Sequence, residues 1–338
     1  MQSYEIQKFG LDGLTLAERE QPEPGPGEAL VRVKAVSLNF RDLMMIQGSY
    51  NPKQKLPLIP CSDGAGEVAA VGSGVTRVKA GDRVMGIFSQ TWIGGPPSKE
   101  KSAGTLGSPL DGMLTQYRCL PAEGLVTTPA HLTDEEAATL PCAAVTAWHA
   151  LVERGQVKAG ETVLVQGTGG VSMFALQFAR MMGARVICIS SSDEKLERAR
   201  ALGATDTLNY KTTADWDKAV RTLTGGVGVD HIIEVGGGAT IGKSFRAIRI
   251  GGHIAVIGVL GGAASADMTL VPILMQNLRI NGVFVGSREI FESMNRAITL
   301  GGLRPAVGKI FEYGNALAAL QHMQAGAHFG KIVVRVSS

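Results

Sequence analysis

Residues Thr162–Met182 read TVLVQGTGGVSMFALQFARMM. A β-branched apolar run, Thr162–Val165, ends in the cluster Gly167-Thr-Gly169-Gly170, and Val171–Met182 then continues without glycine or proline. That pattern predicts a strand, a tight turn and a helix. Glycines at such a turn let the backbone bend sharply and approach a pyrophosphate, whose charge rests against the free N–H groups of the helix start. The last position of the glycine pattern is Ser172. It falls just inside the helix, where a small hydroxyl is expected to replace the close strand packing of a third glycine.

Downstream, strands and helices alternate. Arg185–Ile189 precedes a helix over Asp193–Leu202, Thr207–Asn209 precedes Ala214–Thr222, and His231–Val235 precedes Thr240–Ile248. His253–Gly258 and Leu278–Val285 supply further strands. Alternation of this kind predicts a parallel sheet covered by helices on both faces. Upstream the rhythm differs. Residues 1–35 read as strands broken by turns, with QPEPGPG at Gln21–Gly27 as an exposed connection. Ala29–Ser37 alternates apolar and polar residues, and Gly64–Gly72 and Gly81–Gly86 are short strands, so this part is a β-rich unit. Thr133-Asp-Glu-Glu136 opens a helix with a capping box, and Ala143–Val152 forms another. The stretch Ser89–Gly112 has loop composition throughout, which fits either a lid or cleft wall or a mobile surface insertion. The tail Ile290–Ser338 holds two amphipathic helices and a closing strand, Lys331–Val336.

The 338 residues suffice for two domains, and 33 basic against 30 acidic side chains leave a net charge of +3. So small an excess argues against nucleic acid or a membrane surface as partner. No apolar run approaches the about 20 residues that span a bilayer. Cys61, Cys119, Cys142 and Cys188 are scattered with no CxxC pairing. That usage suits reduced thiols, and a cytoplasmic location is expected.

Seven segments in fixed order carry a family resemblance: Asn39-Phe-Arg-Asp42, Gly64-Ala-Gly-Glu-Val68, Gly81-Asp-Arg-Val84, Leu140-Pro-Cys-Ala-Ala-Val-Thr-Ala147, Gly167-Thr-Gly-Gly-Val171, Leu202-Gly-Ala204 and Gly330-Lys-Ile-Val-Val334. The chain resembles the medium-chain dehydrogenase/reductase superfamily, most closely its zinc-independent, quinone-oxidoreductase-like branch and related alcohol dehydrogenase-like proteins. The resemblance implies an α/β protein with a GroES-like β-rich catalytic domain, 1–126 and 284–338, and a Rossmann dinucleotide-binding domain, 127–283. Zinc-dependent members hold their metal with a cysteine, a histidine and a second cysteine; the matching positions here are Asn39, Ser62 and Cys142. Neither an amide nor a serine hydroxyl is a good zinc ligand at neutral pH, and the cysteines of a structural zinc lobe are missing, so no metal is expected.

The strand RVICI ends in Ser190-Ser191-Ser192, where an NAD-preferring unit carries a carboxylate for the ribose hydroxyl. Without that carboxylate a 2′-phosphate meets no repulsion, and the family's lysine and tyrosine contacts map onto Lys195 and Tyr210. NADPH is therefore expected over NADH, although Lys195 taken alone also reads as a solvated helix charge. Further cofactor contacts implied by the resemblance are Asn39, Thr146, Gly167, Gly169, Gly170, Val171, Ser190, Ser191, Gly236, Gly258, Phe284, Gly286, Ser287 and Lys331. Asn39, Arg41, Tyr50 and Ser62 are the catalytic candidates. Asn39 is the first choice as hydrogen-bond donor to a developing oxyanion, and Arg41 is either a cationic donor or a structural partner of Asp42.

The expected activity is hydride transfer to a quinone or an α,β-unsaturated carbonyl. Alternatives are an alcohol or aldehyde dehydrogenase on the same fold, and a non-catalytic, crystallin-like NADPH-binding protein. Ala266–Phe284 is long and apolar; in relatives the matching region joins two subunits, so a homodimer is expected.

Overall fold

The computed structural model describes residues 1–337. In chain order the strands are β1 (Gln2–Ile6), β2 (Leu14–Glu18), β3 (Glu28–Ser37), β4 (Asp63–Val71), β5 (Arg83–Gly86), β6 (Tyr117–Pro121) and β7 (Leu125–Thr127). There follow β8 (Thr162–Gln166), β9 (Arg185–Ser190), β10 (Asp206–Asn209), β11 (Val229–Glu234), β12 (Ile248–Val256), β13 (Arg279–Gly282), β14 (Val307–Glu312) and β15 (Lys331–Arg335). Two compact units result. One comprises Met1–Val145 together with the chain from Gly286 onward; the other is Thr146–Val285.

The first crossing thus falls after Val145 rather than after residue 126, and the physical reason lies in the acidic turn Asp134-Glu-Glu136. Its capping box forms, with Glu136 N–H donating to Thr133 Oγ1 at 3.2 Å. Each carboxylate also takes an arginine of the β-rich unit: Arg83 to Asp134 at 2.6 Å, Arg335 to Glu135 at 2.8 Å and Arg304 to Glu136 at 2.8 Å. Pairing, more than the helix dipole alone, keeps this helix with the first unit.

In the first unit the sheet order is β14-β15-β3-β4-β5-β7, with β6 also pairing β3 and β1-β2 forming a separate hairpin. Strand β3 lies antiparallel to both β4 and β15; Ser37 stands opposite Asp63 on one side and Val333 on the other. The end of β3 and the starts of β4 and β15 therefore meet at one end of the sheet. Residues 89–112 are pinned in place. Trp92 is buried, its indole N–H donates to Gly95 O at 3.0 Å, and Lys99–Ala103 forms a short helix. Backbone bonds from Arg288 N to Trp92 O and from Glu289 N to Ile93 O, both 3.0 Å, tie the loop to the start of helix Arg288–Gly301. Glycine and proline restrict regular structure here to one short helix without excluding order.

The second unit has a six-stranded sheet, β10-β9-β8-β11-β12-β13, parallel throughout. The chain runs outward from β8 to β10 and then returns to the other side of β8, which makes the carboxyl ends of β8 and β11 the switch point where open α/β sheets bind ligands. Helix Gly170–Met181 buries Met173, Phe174, Leu176 and Phe178, and Phe178 meets the Trp148 ring edge-on at 5.3 Å. Ser172 is buried and donates from Oγ to Gln166 O, the last residue of β8, at 2.6 Å. Among the described residues no helix is long and apolar enough to cross a membrane.

Within this sheet His231 of β11 and His253 of β12 are both buried and face one another, Nδ1 to Nδ1, at 3.4 Å, while His231 Nε2 meets Glu161 Oε2 at 2.9 Å. Burial, helped by the neighbouring His231, lowers the His253 pKa to about 4. A histidine whose folded pKa lies below its unfolded value stabilises the fold fully above about pH 6.5, and that contribution drains away as pH falls toward 4. The shift corresponds to about 3 kcal/mol. Urea unfolding of wild type and His253→Gln at pH 7.5 and pH 4.5 should show the variant losing less stability on acidification; equal losses would dismiss the pair as an acid-sensitive element.

Candidate active site

The first unit gathers a polar cluster where its three strand ends meet. Strand β3 delivers Leu38 and Asn39; Asn39 precedes helix Phe40–Ile46, and its backbone N–H donates to Asp42 Oδ2 at 2.8 Å. Ser62 and Asp63 stand at the start of β4, both fully buried, and Lys331 opens β15 at 3 % exposure. The Lys331 ammonium donates to Leu38 O at 2.8 Å and to Asn39 Oδ1 at 2.6 Å, and lies 3.7 Å from Asp63 Oδ2. Asn39 Nδ2 donates to Ser62 Oγ at 3.4 Å, and Ser62 Oγ donates to Asp63 Oδ1 at 2.8 Å. The Cys142 backbone N–H adds a bond to Asp63 Oδ2 at 3.2 Å.

The surroundings shape the charges. Burial raises the Asp63 carboxyl above its usual range while the Lys331 ammonium pulls it back. Burial lifts Asp42 to about 6, opposed by the Arg41 guanidinium. The Cys142 thiol is pushed well above its ordinary value by burial and by the Asp63 charge, so it stays protonated at neutral pH.

That donor set does not suit a zinc ion. Asn39 Oδ1 already takes an ammonium and the Ser62 proton is committed to Asp63, which leaves the Cys142 sulfur as the one soft donor of the three. A divalent ion would also sit beside the Lys331 charge. Among the described residues no group of three histidine, cysteine, aspartate or glutamate side chains could hold a metal.

Arg41 and Tyr50 take different positions from Asn39 and Ser62. The Arg41 guanidinium donates to Leu106 O at 2.8 Å and to Ser108 O at 3.4 Å, and lies 4.9 Å from the Tyr50 ring and 4.8 Å from the Phe88 ring. Asp42 is 3.8 Å away. Arg41 thus anchors the 105–109 backbone and Tyr50 covers it from the exposed side. Lys331, expected at a cofactor phosphate, is instead directed inward to Asn39 and Asp63, because the antiparallel pairing of β15 with β3 sets its stem beside Leu38. Gly286 approaches Val145 so closely that a Cβ would lie 2.7 Å from its methyl, and Ser287 caps helix Arg288–Gly301 by accepting from Ile290 N at 3.3 Å.

The second unit carries the nucleotide-type features. Gly167 has φ +73, a left-handed conformation that favours glycine, and a Cβ placed on Gly167 or Gly169 would meet nothing within 4 Å. Both border open space at the N-terminus of helix Gly170–Met181, where Gly170 and Val171 form the first turn. Such a cradle fits a pyrophosphate. At the end of β9, Ser190 is buried, Ser191 is half-buried, and Ser190 O accepts from Tyr210 N at 3.0 Å, which brings the exposed Tyr210 to this strand end. Lys195 is half-buried in the first turn of the next helix, whose cap Ser192 accepts its N–H at 3.4 Å. Asp193 is held by Asn209 Nδ2 at 2.8 Å, and Glu194 is the carboxylate that acts on the Lys195 charge. These residues fit a 2′-phosphorylated ribose. Thr146 is buried at the start of the unit and Phe284 is exposed near its end.

Three features escape a reading of the sequence. Glu234, fully buried at the end of β11, accepts from Gln166 Nε2 at 2.8 Å, from Ser244 and Thr240 hydroxyls at 2.5 Å, and from Gly236 and Gly237 N–H at 2.9 Å. It builds the turn after β11, and a Cβ on Gly236 would collide with Thr240 Oγ1 at 2.3 Å. Gly258 is likewise confined: a Cβ there would lie 2.7 Å from Val235 O. His149, whose place inside a helix suggests simple packing, has its Nδ1 2.7 Å from Val285 O and accepts at Nε2 from Arg154 Nε at 3.2 Å, which sets Nδ1 as the donor. Val285 has φ +45, strained for a β-branched residue, and the histidine bond secures it. The third is the inward role of Lys331.

Comparison with known proteins agrees with both units. Residues 25–130 match the family model "Alcohol dehydrogenase GroES-like domain" and residues 170–299 match "Zinc-binding dehydrogenase". A zinc-type alcohol dehydrogenase-like protein of Schizosaccharomyces pombe is 44% identical, covering 97% of this chain and 96% of its own. Acryloyl-coenzyme A reductase of Metallosphaera sedula is 28% identical over 87% of this chain and 88% of its own. A solved Sinorhizobium meliloti 1021 structure, assigned to the alcohol dehydrogenases, superposes with a TM-score of 0.93 at 41% identity, covering 99% of this chain and 98% of that one. With its GroES-like and nucleotide-binding parts matched in order along the chain, this protein belongs to the medium-chain dehydrogenase/reductase superfamily and is an NAD(P)-dependent oxidoreductase of that superfamily.

Proposed function

We propose that the chain is a metal-free, NADPH-dependent reductase of quinones or α,β-unsaturated carbonyls. The observation that carries this reading is the Lys331 ammonium bound to Asn39 Oδ1 at 2.6 Å, at the position where zinc-dependent members begin their ligand set. When bound, NADPH supplies a hydride, that is a proton's mass with two electrons, to an electrophilic carbon of the substrate. The half-buried Asn39 amide donates from Nδ2 to the oxygen that gains the negative charge. The enolate or phenolate left on the substrate takes its proton from water, so no proton-relay hydroxyl is needed in the protein. Ser190, Ser191, Lys195 and Tyr210 receive the 2′-phosphate, and Gly167–Val171 the pyrophosphate.

The alcohol dehydrogenase names of two relatives favour a second reading, oxidation of a secondary alcohol. NADPH consumption against quinones, enones, ketones and aldehydes, with alcohol oxidation and zinc content measured on the same sample, separates the two. Quinone or enone turnover without stoichiometric zinc is expected; alcohol turnover that tracks bound zinc overturns the proposal.

For cofactor choice, Lys195→Ala should weaken NADPH binding about 10-fold or more through loss of a charge-assisted contact and leave NADH within about twofold. Equal losses for both would remove the basis for NADPH.

The oligomer is assigned to the second unit. Strand β13 ends the sheet and pairs only with β12 among the described residues, and Leu270, Val271, Leu274 and Met275 just before it are strongly exposed. An open edge beside apolar side chains fits a second copy of the same edge, since two-fold pairing is self-complementary. Leu274→Glu should convert a dimer to a monomer in sedimentation velocity; a wild-type chain that sediments as a monomer at micromolar concentration would end this assignment.

A further inference from the structure

Lys331, Asn39, Ser62 and Asp63 close a ring whose hydrogen-bond direction is fixed at both ends. An ammonium can only donate and a carboxylate can only accept. Lys331 therefore donates to Asn39 Oδ1 at 2.6 Å, which turns the amide so that Nδ2 faces Ser62 at 3.4 Å. Ser62 gives its proton to Asp63 Oδ1 at 2.8 Å and keeps a lone pair for Asn39. Asp63 Oδ2 closes the ring at 3.7 Å from the ammonium. An amide has nearly the same shape in its two flips, so the Lys331 charge is what decides which end is the donor. Nδ2 then faces the Ser62–Asp63 side of the ring, where the Asn39 side chain also supports the Asp63 carboxylate, and the half-buried amide is the donor that the reading above gives to substrate. A positive charge on the amide oxygen also draws electron density from the nitrogen and strengthens its N–H as a donor, an effect that persists in a buried network. Lys331, Ser62 and Asp63 are themselves almost sealed from solvent, so water does not screen the effect.

We infer that Lys331 is a positioning residue that acts as a built-in cation. It sets the flip of the Asn39 amide and polarises its N–H, and so performs through an amide part of the electrostatic work that zinc-dependent relatives assign to a metal. This rests on the reading of Asn39 as the donor to the developing oxyanion.

The test uses the full-length protein with NADPH and a quinone or enone substrate. It compares Lys331→Met, Lys331→Gln, Asn39→Ala, Asn39→Asp and the double variant Lys331→Met/Asn39→Ala. Each is characterised by kcat, KM, NADPH affinity from fluorescence titration, and thermal unfolding. Lys331→Met should lower kcat by about 10–100-fold, less than or equal to the loss of a whole oxyanion donor, with NADPH affinity within twofold of wild type. Asn39→Asp keeps a partner for Lys331 and lacks the N–H, so it should lose kcat as fully as Asn39→Ala while unfolding near the wild-type temperature. The double variant should be no slower than Asn39→Ala, because the two residues act through one N–H.

Lys331→Gln keeps a neutral donor for Asn39 Oδ1 and should fall between wild type and Lys331→Met; it also stands in if Lys331→Met does not fold. Wild-type kcat in whichever lysine variant folds, or a double variant with multiplied losses, overturns the inference and leaves Asn39 in its role. Wild-type kcat in Asn39→Ala and Asn39→Asp overturns instead the donor reading on which it rests.

Discussion

A carboxylate and an ammonium shut away from water at the joined ends of three strands impose the tightest constraint on the first unit. Asp63 and Lys331 are each more than nine-tenths buried, and neither charge is tolerable there without full compensation. Compensation comes from four groups on three segments distant in sequence: the Leu38 carbonyl and Asn39 amide, the Ser62 hydroxyl, and the Cys142 backbone. The strand order β15-β3-β4 brings them together, and removing any one leaves another polar group stranded. The requirement therefore runs in both directions: the sheet builds the site, and the site's charges penalise any other register.

The second unit solves a related problem, a buried carboxylate, with no counter-ion. Glu234 is buried at the end of β11 and is satisfied entirely by neutral donors, two of them backbone amides of the turn that follows. The carboxylate thereby dictates the path of the chain at the switch point of the sheet. Gln166, at the end of β8, donates to the same carboxylate, so the two strand ends that flank the switch point are tied by one acidic side chain. Ser172 adds a tie from the helix to β8. A ligand-binding turn built this way has its donors and acceptors oriented before anything binds.

Much of this is legible in the residues taken in order. The alternation of apolar strands with glycine-free helices points to the parallel sheet, since both periodicities are local, and the serine run at 190–192 can be read for what it lacks. The capping box at Thr133 is equally local. What escapes reading depends on separation. Lys331 and Asn39 are 292 residues apart, and nothing near either one announces the other. The family resemblance assigns the lysine in Gly330-Lys-Ile-Val to the cofactor; only the register of β15 on β3 turns it inward. Glu234 sits inside the apolar run HIIEV, where one acid looks like an edge of the pattern, and His149 gains its meaning from a strained valine far along the chain. Ser89–Gly112 misleads in another way, because its composition reads as loop throughout and says nothing of the short helix Lys99–Ala103 or of backbone bonds to a distant helix.

The position of β15 inside its sheet, between β14 and β3, has a bearing on how the molecule is made. On the ribosome, residues 1–145 emerge first with the Asp63 carboxylate and its neighbours in place but no cation to meet them. The whole of the second unit, Thr146–Val285, is synthesised before residue 331 arrives. Throughout that interval the Ala35–Ser37 end of β3 has one flank open and a buried acid lacks its partner, so the early chain is an incomplete sheet waiting for a strand. Completion of the site and completion of the sheet are then a single late event, and synthesis that stops short of β15 leaves an incomplete sheet together with a site lacking its charge.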